Sequence, residues 1–156
     1  MRIEWIILCI VWIVTAGLLF TIPKNKRRVA LVAFLFKQAI TWVIGLAVVQ
    51  YGFITYPVRL FAEVNHASFT YEFFVYPAIC GIFNAFYPNS KSAIYKIVYY
   101  SMYCTVLTIP EVWLEKHTEL IKYKHWNGYV TWISLFITFF MSRWFCKWFF
   151  RGLLWK

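Results

Sequence analysis

Long stretches of apolar residues follow one another along this chain, separated by short polar segments. A bilayer core about 30 Å thick is crossed by roughly 20 predominantly apolar residues in a helix. Five stretches approach this length, and they predict an all-α, polytopic membrane protein that forms a single transmembrane domain over residues 1–156. The predicted spans are about 3–22, 29–54, 67–86, 93–109 and 127–150.

Proline residues and polar clusters mark the ends of these spans. Pro23 and a group of basic residues follow the first span. Because these charges come after the apolar run and not before it, we expect no cleavable signal peptide here. Tyr56 and Pro57 end the second span, and Ser92 lies where the N-cap of the fourth helix is expected.

Residues 111–122 come directly after Pro110, which predicts an end or a kink of the fourth helix. Apolar residues recur in this segment at helical spacing, which predicts an amphipathic helix at the membrane interface. A solvated helical loop between two spans is the alternative. Glu111, Glu115 and Glu119 share one helical face, and they are expected to form an acidic stripe on the outer side.

The composition supports membrane insertion and excludes other classes of protein. The chain is 62% hydrophobic and 14% charged, whereas soluble domains are about half apolar and about a quarter charged. One soluble core of this size could not hide so much apolar surface from water. The same hydrophobicity excludes an intrinsically disordered chain, and four dispersed cysteines exclude a disulfide-rich secreted scaffold.

Basic residues are distributed unequally between the two sides of the predicted bundle. Loops and span ends on the side of the N-terminus carry five Lys and Arg residues, and the opposite side carries ten. Because positive charge accumulates on the cytoplasmic side, the N-terminus is expected outside and the C-terminus inside. The five are Arg2, Arg59, Lys116, Lys122 and Lys124; the ten are Lys24, Lys26, Arg27, Arg28, Lys91, Lys96, Arg143, Lys147, Arg151 and Lys156.

Seven of these ten residues form a basic rim at the inner face. Each such residue gains about 1 kcal/mol beside anionic lipid. The formal net charge of +10 therefore indicates anionic lipid of the inner leaflet as a partner, and no nucleic acid. A second copy of the chain or another membrane protein is a further partner class. The rim consists of Lys24, Lys26, Arg27, Arg28, Arg143, Lys147 and Arg151.

Ionisable side chains inside the predicted spans are the candidates for function. A Lys at the centre of a membrane helix costs about 2.5–3.5 kcal/mol, so Lys37 and Glu72 each need an explanation. A snorkelling lysine and a carboxylate paired for structure are the plain interpretations, and a ligand-binding or proton-coupled pair is the functional one. Depth and helical spacing place six residues in one polar seam between the second, third and fourth spans: Lys37, Gln38, Glu72, Asn84, Tyr99 and Tyr103.

Motifs for catalysis and for metal or cofactor binding are missing from the sequence. The chain contains no Asp, no Gly-rich phosphate loop, and neither an HExxH nor a GxSxG motif. We therefore predict no metal site, no cofactor and no catalytic residue. An intramembrane enzyme that acts on lipid through Glu111 and Glu115 is the least favoured interpretation.

Three stretches of the chain carry a recognisable pattern: VAFLFKQ at 32–38, EFFVYPAIC at 72–80 and TWISLFITFF at 131–140. They resemble a small family of integral membrane proteins from endospore-forming Gram-positive bacteria, and the resemblance extends over nearly the whole chain. It implies a multi-pass protein of the bacterial cytoplasmic membrane, associated with spore formation or germination through its host group. It implies no activity, cofactor or catalytic residue.

Two functions follow from these observations. The missing motifs favour a non-enzymatic membrane component, such as a subunit, a scaffold or a homo-oligomer, in which the polar seam holds helices together. The alternative is a protein that binds a small molecule or an ion, such as a transporter, a channel or a sensor, through Lys37 and Glu72. The absence of a cavity beside these two side chains would count against the alternative.

Overall fold

The computed structural model of the protein describes residues 3–151, and its regular structure is almost entirely helical. Within these residues, a short 3₁₀-helix precedes α2, a π-helix runs directly into α3, and two short strands pair antiparallel. The α-helices are α1 (Ile3–Phe20), α2 (Arg27–Gln50), α3 (Tyr76–Ala85), α4 (Ala93–His117) and α5 (Gly128–Phe149); the 3₁₀-helix is Lys24–Lys26, the π-helix is Phe69–Val75, and the strands are β1 (Ile54–Thr55) and β2 (Lys122–Tyr123).

Three helical segments of the described chain are long and apolar enough to cross a membrane. They are α1, the stretch Lys24–Gln50 that contains α2, and α5. The all-helical class is thereby confirmed. The other two predicted spans do not qualify, for different reasons. α4 has 25 residues but includes Lys96, Glu111 and Lys116, and α3 is too short, with only 10 residues after its π-helix.

The connections at one end of the bundle form a compact cap. We define the cap as residues 51–60 and 118–127, which follow α2 and α4 and are joined by the pairing of β1 with β2. The start of α1 lies at the same end, because the Glu119 amide donates a hydrogen bond to the Glu4 carboxylate (3.4 Å).

The opposite end of the bundle gathers the connection before α2, the loop after α3 and the last turns of α5. The Lys26 ammonium lies 5.2 Å from the centre of the Phe86 ring. Arg143 donates a hydrogen bond to the Asn89 side chain. Each end of the bundle therefore contains the loops that the charge count assigned to one side of the membrane.

Small residues bring α2 and α3 close together. Ala33 on α2 and Ala78 on α3 are both completely buried. A Cβ atom at Gly81 would lie only 3.0 Å from the carbonyl oxygen of Ala30. Such contacts allow two backbones to approach, as is common between membrane helices. They fix α2, which carries Lys37, against α3, which continues the π-helix that carries Glu72.

The second and third predicted spans have different boundaries in the structure. α2 ends at Gln50 and not near 54, because residues 51–55 leave the helix and enter β1. The third span is not one α-helix, since its first half is the π-helix, which Ser68 caps by accepting a hydrogen bond from the Tyr71 amide. Arg2 and Lys156, which entered the charge count, lie outside the described residues.

The predicted interfacial helix 111–122 does not form as a separate element. α4 continues through Pro110 to His117, so proline costs this helix one backbone donor without ending it. The helix ends where the Thr118 amide and hydroxyl both donate to the Leu114 carbonyl (2.9 and 2.7 Å). The chain then turns directly into β2.

Candidate functional site

A polar cavity of about 70 Å³ lies among α2, the π-helix, α3, α4, α5 and the cap. A water molecule needs about 10–15 Å³ of such space, so the cavity is large enough for a few waters or one small ion. Lys37 and Glu72 both line it, together with Glu111, which the sequence had placed on the outer face. The polar residues that complete the lining are Thr41, Tyr56, Tyr76, Thr131, Ser134 and Thr138.

Lys37 is directed into the bundle from the middle of α2. Its side chain is 0% exposed, which excludes the snorkelling interpretation. Its ammonium donates a hydrogen bond to the Thr138 hydroxyl on α5 and lies 4.7 Å from the centre of the Phe139 ring. A desolvated cation over an aromatic face is a stabilising arrangement, so α5 and not α4 provides the immediate surroundings of this lysine.

Glu72 faces the cavity from the π-helix, a wide helical turn that is frequent at functional sites. One oxygen of its carboxylate accepts a hydrogen bond from the Tyr56 hydroxyl in the cap (3.0 Å). Gly45 on α2 makes room for this side chain, because a Cβ atom there would lie 2.9 Å from the carboxyl carbon of Glu72. No hydrogen bond to the second carboxylate oxygen is found among the described residues.

Glu111 is buried on α4 and is held by three hydroxyl groups. Tyr76 donates to one of its oxygens, and Tyr123 (2.6 Å) and Thr131 (2.8 Å) donate to the other. Trp126 donates to the same Thr131 oxygen (2.8 Å), which orients that hydroxyl toward the carboxylate. The charge of Glu111 is therefore satisfied by groups of the protein itself.

Tyr56 and Tyr123 belong to the cap, and each holds one of the two carboxylates. Burial and the nearby Glu72 and Glu111 carboxylates raise the pKa of Tyr56. Burial and Glu111 raise the pKa of Tyr123. Both phenols therefore stay protonated in ordinary buffers and remain hydrogen-bond donors to the carboxylates.

Hydroxyl groups that line the cavity already donate hydrogen bonds within the protein, which limits the groups that remain for a ligand. The Ser134 hydroxyl donates to the Thr131 carbonyl (2.9 Å), the Thr138 hydroxyl to carbonyls of α5, and the Thr41 hydroxyl to the Lys37 or Glu72 carbonyl (2.8 and 2.7 Å). These hydroxyl hydrogens are thus engaged within the protein. What remains in the lining is the Lys37 amine, hydroxyl lone pairs and the second oxygen of Glu72.

No ion pair within 4.0 Å joins Lys37 to either carboxylate; within residues 3–151 such a pair is found between Lys122 and Glu119 (3.5 Å). The cavity therefore holds two carboxyl groups and one amine that form no ion pair with one another. Buried charges are normally paired or neutralised. The cavity can therefore accept a positive charge, or hydrogen-bond donors, from a bound species.

The other members of the predicted seam lie elsewhere in the bundle. Gln38 donates to the Phe73 carbonyl (2.8 Å) and thereby joins α2 to the π-helix. Asn84 donates to the Ser142 hydroxyl (3.2 Å), and Tyr99 donates to the Phe83 carbonyl (3.0 Å).

Two phenylalanine rings separate the Tyr99 and Tyr103 pair from Lys37. Phe83 packs between the Tyr103 ring (5.3 Å) and Phe139 (4.8 Å), which is the ring beneath the lysine ammonium. Tyr99 and Tyr103 contact each other, with 3.4 Å between their hydroxyl oxygens. The six residues of the expected seam therefore do not form one continuous polar surface, and an aromatic layer lies between Lys37 and the Tyr99–Tyr103 pair.

The residues of the predicted acidic stripe and basic rim differ in their exposure. Glu111 faces the cavity while Glu115 is half-buried and Glu119 is exposed in the cap, so the three do not form one outer stripe. Six rim residues are exposed or half-buried on the end opposite the cap: Lys24, Lys26, Arg27, Arg28, Lys147 and Arg151. Arg143 differs, because it is only 6% exposed and lies 4.2 Å from the centre of the Tyr87 ring.

Several cavity residues carry no signal in the sequence that would single them out. Tyr56 and Tyr123 occur among eleven tyrosines, and Thr131 and Thr138 are ordinary residues of an apolar span. A usable signal was the spacing of Thr131, Ser134 and Thr138, which places their hydroxyls on one face of α5. That face is the one that meets the cavity.

Comparison with protein-family models, curated proteins and solved structures finds no match to this chain. Among the described residues, no group of three or more His, Cys, Asp or Glu side chains is arranged to hold a metal ion. The chemistry of the cavity lining is therefore the feature that points to a function.

Proposed function

We propose that this chain is a multi-pass protein of the bacterial cytoplasmic membrane that crosses the bilayer five times, with its N-terminus outside and its C-terminus inside. Three apolar helices support membrane insertion. The grouping of the basic loops at the end opposite the cap supports the orientation, because positive charge accumulates on the cytoplasmic side. α3 with its π-helix, and α4, would supply the two less apolar crossings.

We further propose that the protein binds a small cation, or a small molecule rich in hydrogen-bond donors, in the cavity between Lys37, Glu72 and Glu111. The observation that supports this is that the cavity is lined by two carboxylates and one buried ammonium that do not contact each other. Intramembrane ionisable residues that face a cavity typically mark a ligand or ion pathway.

The size and the chemistry of the cavity point to the class of ligand. About 70 Å³ is too small for a drug-sized molecule but sufficient for a monovalent ion with one or two waters. The open Glu72 oxygen and the hydroxyl lone pairs accept from, or coordinate, a cation. A bound monovalent cation would supply the counter-charge that Lys37, which contacts neither carboxylate, does not provide.

The direct test is thermal unfolding of the purified protein in lipid nanodiscs with different chloride salts. The probes are Na⁺, K⁺, NH₄⁺ and methylammonium, and N-methylglucamine, which is too large for the cavity, keeps the ionic strength constant. A ligand at a hundred times its Kd stabilises by about 2.7 kcal/mol, which raises the Tm by roughly 5–10 °C for a chain of this length.

The matched variants are Glu72→Gln and Glu115→Gln. We expect one or more of the small cations to raise the Tm of the native chain and of Glu115→Gln, since Glu115 is outside the cavity lining. The shift should be lost in Glu72→Gln. Equal shifts in both variants, or no shift with any of the four cations, would refute the proposal.

A non-enzymatic subunit or scaffold is the second candidate, and a specific observation favours it. Gln38, Asn84, Tyr99 and Glu111 all use their side chains to join one helix to another segment of the chain. Native mass spectrometry of the protein released gently from its membrane separates the two functions. A bare homo-oligomer, or a complex with a second protein, supports the subunit, whereas a retained small ligand supports the binding protein.

A further inference from the structure

We propose that the cap is a gate over the polar cavity, held closed in part by two hydrogen bonds to its carboxylates: Tyr56 to Glu72 and Tyr123 to Glu111. This inference concerns access to the cavity. It rests on the proposed function only for the identity of the ligand that enters. Its geometric basis is that the two phenols come from the two paired halves of the cap, and that each one holds a different carboxylate of the cavity.

The cap covers the cavity with side chains and not with helices. Ile54, Tyr56 and Trp126 are all cap residues that line the cavity. The sheet that joins the two halves of the cap has only two residues in each strand. Because so short a sheet gains little stability from its own pairing, the position of the cap depends on its contacts with the helices.

Hydrogen bonds within the cap make it one unit. The Lys124 and His125 amides both donate to the Phe53 carbonyl (3.0 and 3.1 Å), and the Val58 amide donates to the Glu119 carbonyl (3.0 Å). These bonds join the two halves across the pairing of β1 with β2. If one half moves away from the cavity, the other moves with it.

The cap is attached to the helices in two different ways. An apolar cluster that includes Leu8, Leu114 and Leu120 packs it against α1 and α4. The same cluster reaches the cavity side through Ile54 and Val48. Three hydrogen bonds are added there: Tyr56 bonds to the π-helix, Tyr123 to α4 and Trp126 to α5. The apolar contacts keep the cap on the bundle while the two tyrosine bonds can break and reform.

The same carboxylates serve both the gate and the proposed ligand. Glu72 uses one oxygen for Tyr56 and leaves the other toward the cavity. A cation drawn to this carboxylate weakens its attraction for the phenol hydrogen, because both depend on the same negative charge. Arrival of a ligand therefore favours release of Tyr56, which couples binding to opening.

The test measures how fast a cationic methanethiosulfonate reagent reaches a thiol introduced into the cavity. Ser134→Cys is the reporter, because Ser134 lines the cavity and donates only to a carbonyl of its own helix. The exposed Cys9 is replaced by Ser, and the fully buried Cys80 serves as an internal reference for global unfolding.

The reporter is combined with Tyr56→Phe and Tyr123→Phe, which remove the two bonds and keep the aromatic rings. Tyr129→Phe is the control, because Tyr129 is 83% exposed. We expect the double variant to label at position 134 at least about tenfold faster than the control, as loss of hydrogen bonds to charged groups implies. Cys80 should stay protected in both.

Two results would overturn the gate: equal labelling rates in the double variant and the control, or labelling of Cys80 that rises in parallel with position 134. The labelling experiment needs no ligand. If no cation shifts the Tm, the proposed ligand class is refuted. The labelling rates still decide whether the cap is a gate.

Discussion

Removal of the Glu111 carboxylate tests whether the buried network around it holds the fold together. Glu111→Ala leaves three hydroxyls without their acceptor. A buried polar group that loses its partner costs about 1–3 kcal/mol in soluble proteins, which gives about 3–9 kcal/mol for three. Interhelical hydrogen bonds in membranes average only about 0.6 kcal/mol, which gives about 2 kcal/mol. We therefore expect a loss of at least about 2 kcal/mol.

The assay is thermal unfolding in nanodiscs, followed by tryptophan fluorescence. A loss of 2 kcal/mol corresponds to a Tm lower by roughly 4–8 °C. Glu111→Gln should lose less than half as much, because its amide oxygen still accepts from Tyr123 and Thr131. Glu115→Ala, one turn further along α4, is the control, and it should fall within about 0.5 kcal/mol of the native chain. Equal losses for Glu111→Ala and Glu115→Ala would refute the reasoning.

Two further predictions concern packing and charge. Gly81→Ala should lower the free energy of unfolding by about 1–3 kcal/mol, because its Cβ would lie 3.0 Å from the Ala30 carbonyl oxygen. The control Gly17→Ala has nothing within 4 Å of its Cβ and should be neutral or stabilising by up to about 1 kcal/mol. Equal Tm values for the two variants would contradict this prediction. Lys37→Met should change the free energy of unfolding by less than about 2 kcal/mol. The variant loses the hydrogen bond to Thr138 and the cation–π contact, but it no longer has to bury a charge. A larger fall of the Tm would show that the lysine is mainly structural.

The first and last helices follow from local pattern. α1 and α5 begin and end within two residues of the predicted spans 3–22 and 127–150, because a continuous apolar run and a polar boundary determine both. Ser92 also caps α4 as expected, accepting a hydrogen bond from the Tyr95 amide (3.3 Å). These features depend on neighbouring residues only.

The cap and the Glu111 network could not be predicted because they depend on distant contacts. β1 forms only because residues 122–123 lie beside it, some 70 positions later in the chain. α4 is apolar on most of its sides, so the spacing of its glutamates did not show which face turns inward. Lys37 was singled out from the sequence and is fully buried in the structure, but its partner Thr138 is 101 residues away.

The π-helix makes the position of Glu72 depend on the number of residues before α3 as well as on their identity. Each residue of an α-helix turns the chain by about 100°, and a π-helical turn accommodates one residue more than an α-helical turn does. Deletion of one residue between 69 and 71 would restore α-helical winding and rotate Glu72 away from Gly45 and Tyr56. The chain would keep every cavity residue and yet lose the arrangement, so the alignment of related chains should treat a one-residue gap here as a loss of the site.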